Sequence, residues 1–312
     1  MKIAVASRSF SRNATLRAEL LDRYPGAVFS ESPNVIDGQE LVDFLRGRDA
    51  AIVGLERIDE AILAAVPELK VISKYGVGLD AVDVEAIARR GIRLGWTGGV
   101  NRRSVSELTL GFAIALLHRV PEGDAGLRSR QWLKLIGRQL TGRTFGIIGC
   151  GFVGQDLVKL LAPFECRVLA HDIRDYAEFY RAHRVTPVSL AQLLAESEIV
   201  SLHVPLDRST RGMIGAVELA AMRPGTIVIN AARGGLIDEN ALADALASGQ
   251  VAGAACDVFE IEPDANARLV TLPTFIGTPH IGGSTQEAQL AMGRAAIAGL
   301  ENARVPGRGW PC

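Results

Sequence analysis

The chain alternates short apolar runs with longer segments in which apolar positions recur every three or four residues. This alternation is typical of parallel sheets built from strand–helix–strand units. In the first hundred residues it predicts five strands, over 2–6, 27–30, 50–54, 71–75 and 93–97. Between them the helical spacing predicts four helices, over 15–24, 38–46, 59–66 and 83–90.

A second series of the same kind follows Thr97-Gly98-Gly99. Ser104-x-x-Glu107 is a candidate capping box, and it predicts a long apolar helix from 104 to about 119. Six further strands are predicted, over 144–149, 167–171, 199–203, 226–231, 251–257 and 274–277, with a closing helix over 284–303. The sequence therefore predicts an α/β protein of two doubly wound domains.

Composition narrows the class of protein. A length of 312 residues suits two domains, and 48% hydrophobic with 22% charged residues is typical of a folded chain. A net charge of −1 predicts neither nucleic acid nor a membrane surface as a partner. The longest apolar run, 108–117, is too short to span a bilayer. The cysteines have no paired spacing, which favours reduced thiols in the cytoplasm over disulfides or a metal site: Cys150, Cys166, Cys256 and Cys312.

A glycine-rich turn follows the first strand of the second series. In 145–154, Gly149 permits the turn, Gly151 lets a pyrophosphate approach the backbone, and Gly154 allows close packing of helix on strand. The helix that begins at Phe152 and Val153 would supply amide donors to the phosphates. A lone motif of this kind also arises for purely structural reasons. Here the next strand ends in Asp172, a carboxylate placed for the ribose hydroxyls, which favours NAD over NADP although Arg174 is close.

Three polar residues come just after predicted strands, where the carboxyl-end loops of an open sheet form a ligand crevice. They are Arg233 in 230–235, Glu262 in 257–263 and His280 in 278–283. Each has an ordinary alternative when taken singly, because arginine before glycines is often a solvated charge and histidine after proline is often a turn residue.

Taken together, these motifs resemble the D-isomer-specific 2-hydroxyacid dehydrogenase family, and most closely its 3-phosphoglycerate dehydrogenase-like branch. The resemblance runs through nearly the whole chain, over 76–80, 106–108, 149–154, 201–206, 230–235, 257–263 and 279–288. It implies a Rossmann NAD-binding domain, residues 100–282, inserted into a flavodoxin-like substrate domain of residues 1–99 and 283–312. It also implies hydride transfer between NAD(H) and C2 of a small 2-hydroxy or 2-oxo acid.

The resemblance also implies roles for individual residues. His280 would be the acid/base, Glu262 would orient it and favour its protonated form, and Arg233 would bind the substrate carboxylate. The remaining substrate contacts would come from Tyr75, Gly76, Val77 and Gly78. Further cofactor contacts would come from Val204, Pro205, Ala231, Ala232, Asp257, Gly282 and Gly283, besides Arg233 and His280. Asp257 has a structural alternative, as a loop carboxylate that caps backbone amides.

The far end of the substrate is less defined. The expected acid is 3-phosphoglycerate or phosphohydroxypyruvate, for which a phosphate needs cationic partners. Candidate cations are Arg8, Arg12, Arg57, Lys74, Arg102 and Arg138. Glu56 would repel a phosphate, and the segment 7–12 could line an altered pocket, so glyoxylate, hydroxypyruvate, a phosphonate-containing acid and phosphite stay open.

The assembly and a non-enzymatic alternative follow from the same resemblance. The helix at 104–119 and an arm through 132–140, within the dimerisation region 101–140, resemble a dimerisation element and predict a homodimer. An NADH-linked corepressor scaffold would share the fold and the three polar residues, but no tail or peptide-docking insertion is evident in this sequence.

Overall fold

A computed structural model describes residues 1–307 and Trp310. The chain forms two compact units. The first unit comprises Met1–Asn101 with Thr285–Cys312, and the second unit comprises Arg102–Ser284.

The first unit is a five-stranded parallel sheet covered on both faces by helices. Numbered along the whole chain, its elements are β1 (Ile3–Val5), α1 (Arg8–Arg12), α2 (Ala14–Arg23), β2 (Val28–Phe29), α3 (Gly38–Leu45), β3 (Ala50–Val53), α4 (Glu60–Ala65), β4 (Val71–Lys74), α5 (Val84–Arg89), β5 (Arg93–Gly95) and α14 (Gln286–Asn302). The strand order is β2-β1-β3-β4-β5. All five predicted strands and all five predicted helices of this unit are present, with ends that differ by one or two residues.

Successive residues of each strand enter two different cores. Ile3 and Val5 of β1 pack with Leu16 of α2 and Ala296 of α14, whereas Ala4 packs with Leu41 of α3 on the other face. Because both faces are buried, every residue of the strand can be apolar, and this is why the strands read as continuous apolar runs.

The segment 7–12, a candidate lining for an altered pocket, contains the short helix α1. Its central Phe10 is fully buried, and the Ser11 hydroxyl donates to the carbonyl of Val5. One buried aromatic side chain therefore folds this segment onto the sheet.

The second unit contains a seven-stranded parallel sheet. Its elements are α6 (Arg102–Leu117), α7 (Val120–Arg128), β6 (Thr144–Ile148), α8 (Phe152–Leu161), a 3₁₀ turn (Ala162–Phe164), β7 (Arg167–His171), α9 (Ala177–His183), β8 (Thr186–Pro187), α10 (Leu190–Glu196), β9 (Ile199–Leu202), α11 (Ala216–Ala221), β10 (Thr226–Asn230), α12 (Glu239–Ala247), β11 (Val251–Cys256), α13 (Ala267–Val270) and β12 (Phe275–Gly277). The strand order is β12-β11-β10-β9-β6-β7-β8, so the winding direction reverses between β6 and β9. The predicted doubly wound fold class is confirmed.

Two local predictions in this unit are wrong. Ser104 is not a helix N-cap, because α6 begins at Arg102 and the Ser104 hydroxyl donates instead to the carbonyl of Gly282. The edge strand β8 was missed, since it has only two residues and one of them, Pro187, cannot donate a backbone hydrogen bond. Both misses arise where a contact distant in sequence decides the local structure.

Candidate active site

The glycine-rich turn lies at the carboxyl end of β6, beside the point where the strand order reverses. Gly149 has a φ of +93°, and a Cβ atom there would lie 2.7 Å from the carbonyl carbon of His203. A Cβ on Gly154 would overlap the carbonyl oxygen of Gly149. A Cβ on Gly151 would meet no atom of the described chain within 4 Å. Two of the glycines are therefore required by the fold, while Gly151 leaves open space in front of the helix.

Helix α8 begins directly behind that open space. Gly151 is its N-cap and contributes no side-chain hydrogen bond, so the first-turn amides of Phe152 and Val153 point out of the helix end without a side-chain cap. A helix N-terminus with open space before it suits a phosphate group, because its amides and the helix dipole both favour an anion.

Asp172 is tied to the same turn. Its Oδ2 accepts a hydrogen bond of 2.6 Å from the Cys150 amide, and its Oδ1 accepts one of 2.8 Å from the Arg174 amide. The carboxylate thus has a fixed position at the end of β7, where the fingerprint places the group that contacts the ribose. Burial raises the pKa of Cys150 to about 12, so this residue of the turn stays a neutral thiol.

His280 lies in the loop after β12 in an unusual backbone conformation. Its φ is +53°, and its amide donates to the carbonyls of Asp257, at 2.8 Å, and Thr278, at 3.0 Å. Its Nδ1 lies 2.9 Å from Oε2 of Glu262. With the carboxylate charged, Nδ1 must carry the proton of this hydrogen bond, so Nε2 of a neutral ring is left as a proton acceptor.

Both carboxylate oxygens of Glu262 take part in hydrogen bonds. Its Oε1 accepts a hydrogen bond of 3.2 Å from the Phe259 amide, while Oε2 faces His280. The side chains of His280 and Glu262 are 50% and 40% exposed, so the pair is accessible to a ligand. The arrangement is an oriented, accessible imidazole–carboxylate pair of the kind that transfers protons.

Asp257 organises the loop that carries His280. It is almost fully buried, and its carboxylate accepts hydrogen bonds from the Thr278 hydroxyl (2.6 Å), the Ile281 amide (2.7 Å) and the Gly282 amide (2.7 Å). These contacts match the structural role considered for this residue. Its contact with the cofactor stays a prediction.

Arg233 follows β10, the neighbour of β11 in the sheet. The buried Asn230 bridges this loop, since its amide group donates to the carbonyl of Arg233 at 2.8 Å and accepts from the Ala232 amide at 3.1 Å. A Cβ on Gly234 would overlap the carbonyl of Phe259, so the Arg233 loop packs directly against the loop that contains Glu262. The fold thereby brings the loops of Arg233, Glu262 and His280 to the carboxyl end of adjacent strands.

The loop after β9 contains a residue that the sequence analysis did not single out. Nε2 of His203 lies 2.9 Å from the Ser201 hydroxyl, and burial lowers the pKa of His203 to about 4. This neutral histidine precedes Val204 and Pro205, two predicted cofactor contacts. The segment 201–206 was part of the family resemblance. Nothing in the sequence, however, distinguished its histidine from an ordinary buried histidine.

All predicted cofactor residues therefore lie at the carboxyl edge of one sheet, either in the loops after β6, β7, β9, β10, β11 and β12 or in the first turn of α8. The predicted substrate residues Tyr75, Gly76, Val77 and Gly78 follow β4 of the first unit. The Tyr75 ring packs edge-on against Phe10 in the core, and the carbonyl of Val77 accepts a hydrogen bond of 2.9 Å from Trp96 Nε1. Any contact of Tyr75 with a substrate would thus involve its backbone.

Two kinds of feature are absent from residues 1–307 and Trp310. Within that part of the chain, no three His, Cys, Asp or Glu side chains are grouped as metal ligands would be. No helix there is long and apolar enough to cross a membrane.

Comparison with known proteins agrees with this arrangement. Residues 110–282 match the family described as D-isomer specific 2-hydroxyacid dehydrogenase, NAD binding domain. The chain is 37% identical over 261 residues to the D-3-phosphoglycerate dehydrogenase of Methanocaldococcus jannaschii, covering 82% of this chain and 49% of that protein. It is also 37% identical over 264 residues to the hydroxypyruvate reductase of Thermotoga maritima, covering 83% and 85% of the two chains.

A solved structure gives the same result for the fold. The glyoxylate reductase of Paecilomyes thermophila matches with a TM-score of 0.86 at 26% identity, over 98% of each chain. The chain spans about half the length of the D-3-phosphoglycerate dehydrogenases that it matches.

Proposed function

This chain belongs to the D-isomer specific 2-hydroxyacid dehydrogenase family, and from that premise we propose that it is an NAD-dependent enzyme that interconverts a small 2-hydroxy acid and the corresponding 2-oxo acid. The observation that carries the proposal is the accessible hydrogen bond between His280 and Glu262, 2.9 Å long, at the carboxyl edge of the NAD-binding sheet.

His280 is the acid/base of the proposed reaction. In oxidation its Nε2 takes the proton of the substrate hydroxyl, and in reduction it returns that proton to the carbonyl oxygen. Glu262 fixes the ring through Nδ1 and stabilises the imidazolium that forms, since the proton on Nδ1 already points at its carboxylate. The pair thus moves one proton in each direction without a change in the position of the ring.

Two sets of residues are proposed to contact the acid group, Arg233 of the second unit and residues 76–78 of the first. The guanidinium of Arg233, whose Nη1 also donates to the carbonyl of Ala232 at 2.7 Å, would bind the substrate carboxylate and polarise the C2 oxygen. We assign the remaining contacts with the carboxylate to the backbone amides of Gly76–Gly78, where Gly76 has a φ of +116° that a side chain would strain. Residues 1–99 and 283–312 are accordingly the proposed substrate domain, and residues 100–282 the proposed NAD-binding domain.

The NAD-binding residues fit the dinucleotide. The open space at Gly151 and the amides of Phe152 and Val153 would receive the pyrophosphate, and Asp172 the ribose hydroxyls. When bound, the nicotinamide accepts the hydride from C2 in oxidation and donates it in reduction. Asp172 would repel a 2′-phosphate, which favours NAD over NADP.

The experiment that tests the function is a panel of 2-oxo acids with NADH, followed at the nicotinamide absorbance. The panel includes hydroxypyruvate, glyoxylate, phosphohydroxypyruvate and a phosphonate-containing acid, and phosphite with NAD covers the remaining alternative. We expect turnover of at least one 2-oxo acid. NADH binding without turnover of any of them would contradict the enzymatic proposal and favour an NADH-linked scaffold.

We also propose a homodimer formed through the second unit. Five large apolar side chains between residues 120 and 136 are exposed by 48% to 89%: Val120, Leu127, Trp132, Leu133 and Ile136. Such a concentration on helix α7 and the arm behind it is unusual for a free surface and suits a second copy of this chain.

A cytoplasmic location is consistent with the thiols. Cys150, Cys166 and Cys256 are all free in the structure, and Cys312 lies outside the described residues. Free thiols are the usual state of cysteine in a reducing compartment.

A further inference from the structure

Three buried polar residues meet at the carboxyl ends of three adjacent strands of the first unit. Ser7 follows β1, Glu56 follows β3, and Lys74 ends β4, and their residues are exposed by only 3%, 1% and 6%. In the sheet these strands are neighbours, in the order β1-β3-β4. Burying two opposite charges here costs solvation energy, so packing alone does not account for the presence of these charges.

The two charges are bound to the same residue, Gly54. The Lys74 ammonium donates to the carbonyl of Gly54 at 2.6 Å and to the carbonyl of Tyr75 at 3.2 Å. The Glu56 carboxylate accepts a hydrogen bond from the Gly54 amide. Burial raises the pKa of Glu56, and the nearby Lys74 ammonium opposes that rise. Lys74 and Glu56 therefore place opposite charges at one residue, Gly54, and these two side chains are the Lys74–Glu56 pair.

This pair borders the loop proposed to bind the substrate carboxylate. A Cβ on Gly76 would lie 3.3 Å from Nζ of Lys74, so the ammonium sits against the first residue of Gly76–Gly78. A cation in this position adds positive potential where an anionic substrate would bind. The carboxylate of Glu56 offsets that potential at short range.

Two of the other cations expected to hold a phosphate have partners elsewhere. Arg57 pairs with Asp59 at 3.1 Å, and Arg138 donates to the carbonyl of Gly225 at 2.9 Å. Among the residues that follow β3 and β4, the balance of charge therefore suits one carboxylate and gives a second, doubly charged group no net attraction.

We infer that the Lys74–Glu56 pair makes this end of the first unit selective for 2-oxo acids whose only charged group is the carboxylate, and selective against phosphorylated ones. The inference rests on the proposed function. It adds a substrate class, with hydroxypyruvate or glyoxylate as representatives, and it assigns Glu56 the role of a specificity determinant that acts through Lys74.

The test compares kcat/KM for hydroxypyruvate and phosphohydroxypyruvate with NADH. We expect the parent protein to favour hydroxypyruvate by about tenfold or more, since a phosphate dianion would lose hydration here without meeting a net positive charge. Glu56→Gln keeps an acceptor for the Gly54 amide and removes the charge, so the ratio should move toward phosphohydroxypyruvate by about tenfold, mainly through KM. Glu60→Gln removes the same charge from the exposed start of α4 and should leave the ratio unchanged.

A double variant distinguishes an effect of charge from an effect of packing. Glu56→Gln with Lys74→Gln restores electrical neutrality, and its ratio should return toward that of the parent. A parent that prefers phosphohydroxypyruvate, or a Glu56→Gln variant with the parent's ratio, would overturn the inference. The ratio of kcat/KM measured for the parent tests the inference even where a variant fails to fold. Turnover of no acid in the full panel by a parent that still binds NADH would instead refute the proposed function, and this inference with it.

Discussion

The backbone conformation of His280 limits what can replace it. With a φ of +53°, the residue lies in the left-handed region, which asparagine tolerates better than alanine. The amide of residue 280 is anchored to Asp257 and Thr278, whose bonds do not depend on the ring. The chemistry of the imidazole can therefore be removed while the loop is left in place.

We expect His280→Asn to lower turnover of the preferred 2-oxo acid by roughly two to four orders of magnitude, because an amide cannot transfer the proton. NADH affinity, measured by fluorescence titration, should stay near that of the parent. His183→Asn, a change at an exposed histidine at the end of α9, is the matched control and should retain activity. Near-parental turnover by the His280 variant would remove this residue from the mechanism.

A second prediction at the residue scale concerns His203 and the dependence of protein stability on pH. Burial lowers its pKa from an ordinary 6.5 to about 4, so between these values the unfolded chain binds a proton that the folded chain does not. The stabilisation is complete above about pH 6.5 and is lost as the pH falls toward 4. From pH 7 to 5 the free energy of unfolding should fall by about 2 kcal/mol through this residue.

Urea unfolding at the two pH values, followed by tryptophan fluorescence, measures this loss. His203→Gln cannot titrate and should lose less stability on acidification than the parent, whereas His183→Gln should behave as the parent does. An equal loss in parent and His203 variant would mean that His203 is not buried as a neutral ring.

At the scale of elements, the turn from β6 into α8 separates two roles of glycine. A methyl group on Gly154 would overlap the carbonyl of Gly149, whereas a methyl group on Gly151 would enter open space. The same substitution at two places in one turn should therefore affect folding in one case and ligand binding in the other.

We expect Gly154→Ala to lower the free energy of unfolding by about 1–3 kcal/mol, as overpacking does. Gly151→Ala should fold with the stability of the parent and weaken NADH binding by roughly tenfold or more, because the methyl group would occupy the space in front of the helix amides. Thermal unfolding and NADH titration of both variants measure these effects. Unchanged NADH affinity in Gly151→Ala would place the pyrophosphate elsewhere.

At the scale of the whole molecule, the exposed apolar side chains of residues 120–136 carry the proposed dimer. Ile136 is 89% exposed, in a segment that also includes the 81% exposed Trp132. Scattered apolar residues are normal on a protein surface, but a group of large ones within one segment indicates an interface.

We expect the parent to elute as a dimer and Ile136→Asp to elute as a monomer, measured by size-exclusion chromatography with light scattering, because a charge in a desolvated interface is costly. Val217→Asp introduces the same charge at a residue of α11 that is 76% exposed and should leave the dimer intact. A monomeric parent, or a dimeric Ile136 variant, would count against this interface.

The sequence by itself determined the fold class and the strands that matter. In a parallel sheet covered on both faces, strands such as β1 and β10 are apolar throughout, and this pattern is visible without a structure. The sequence also showed the glycine spacing of 149–154 and the positions of Arg233, Glu262 and His280 after strands. These features depend only on the order of residues along the chain.

Tertiary structure decided the features that depend on partners far away in sequence. Ser104 donates to Gly282 instead of capping its helix, the Asp257 carboxylate anchors the loop of His280, and Lys74 meets Glu56 at Gly54. Propensity and spacing describe neighbours along the chain, whereas these hydrogen bonds join residues that only the completed fold places side by side. The class of reaction could therefore be predicted from the sequence, while the balance of charge that selects the substrate required the fold.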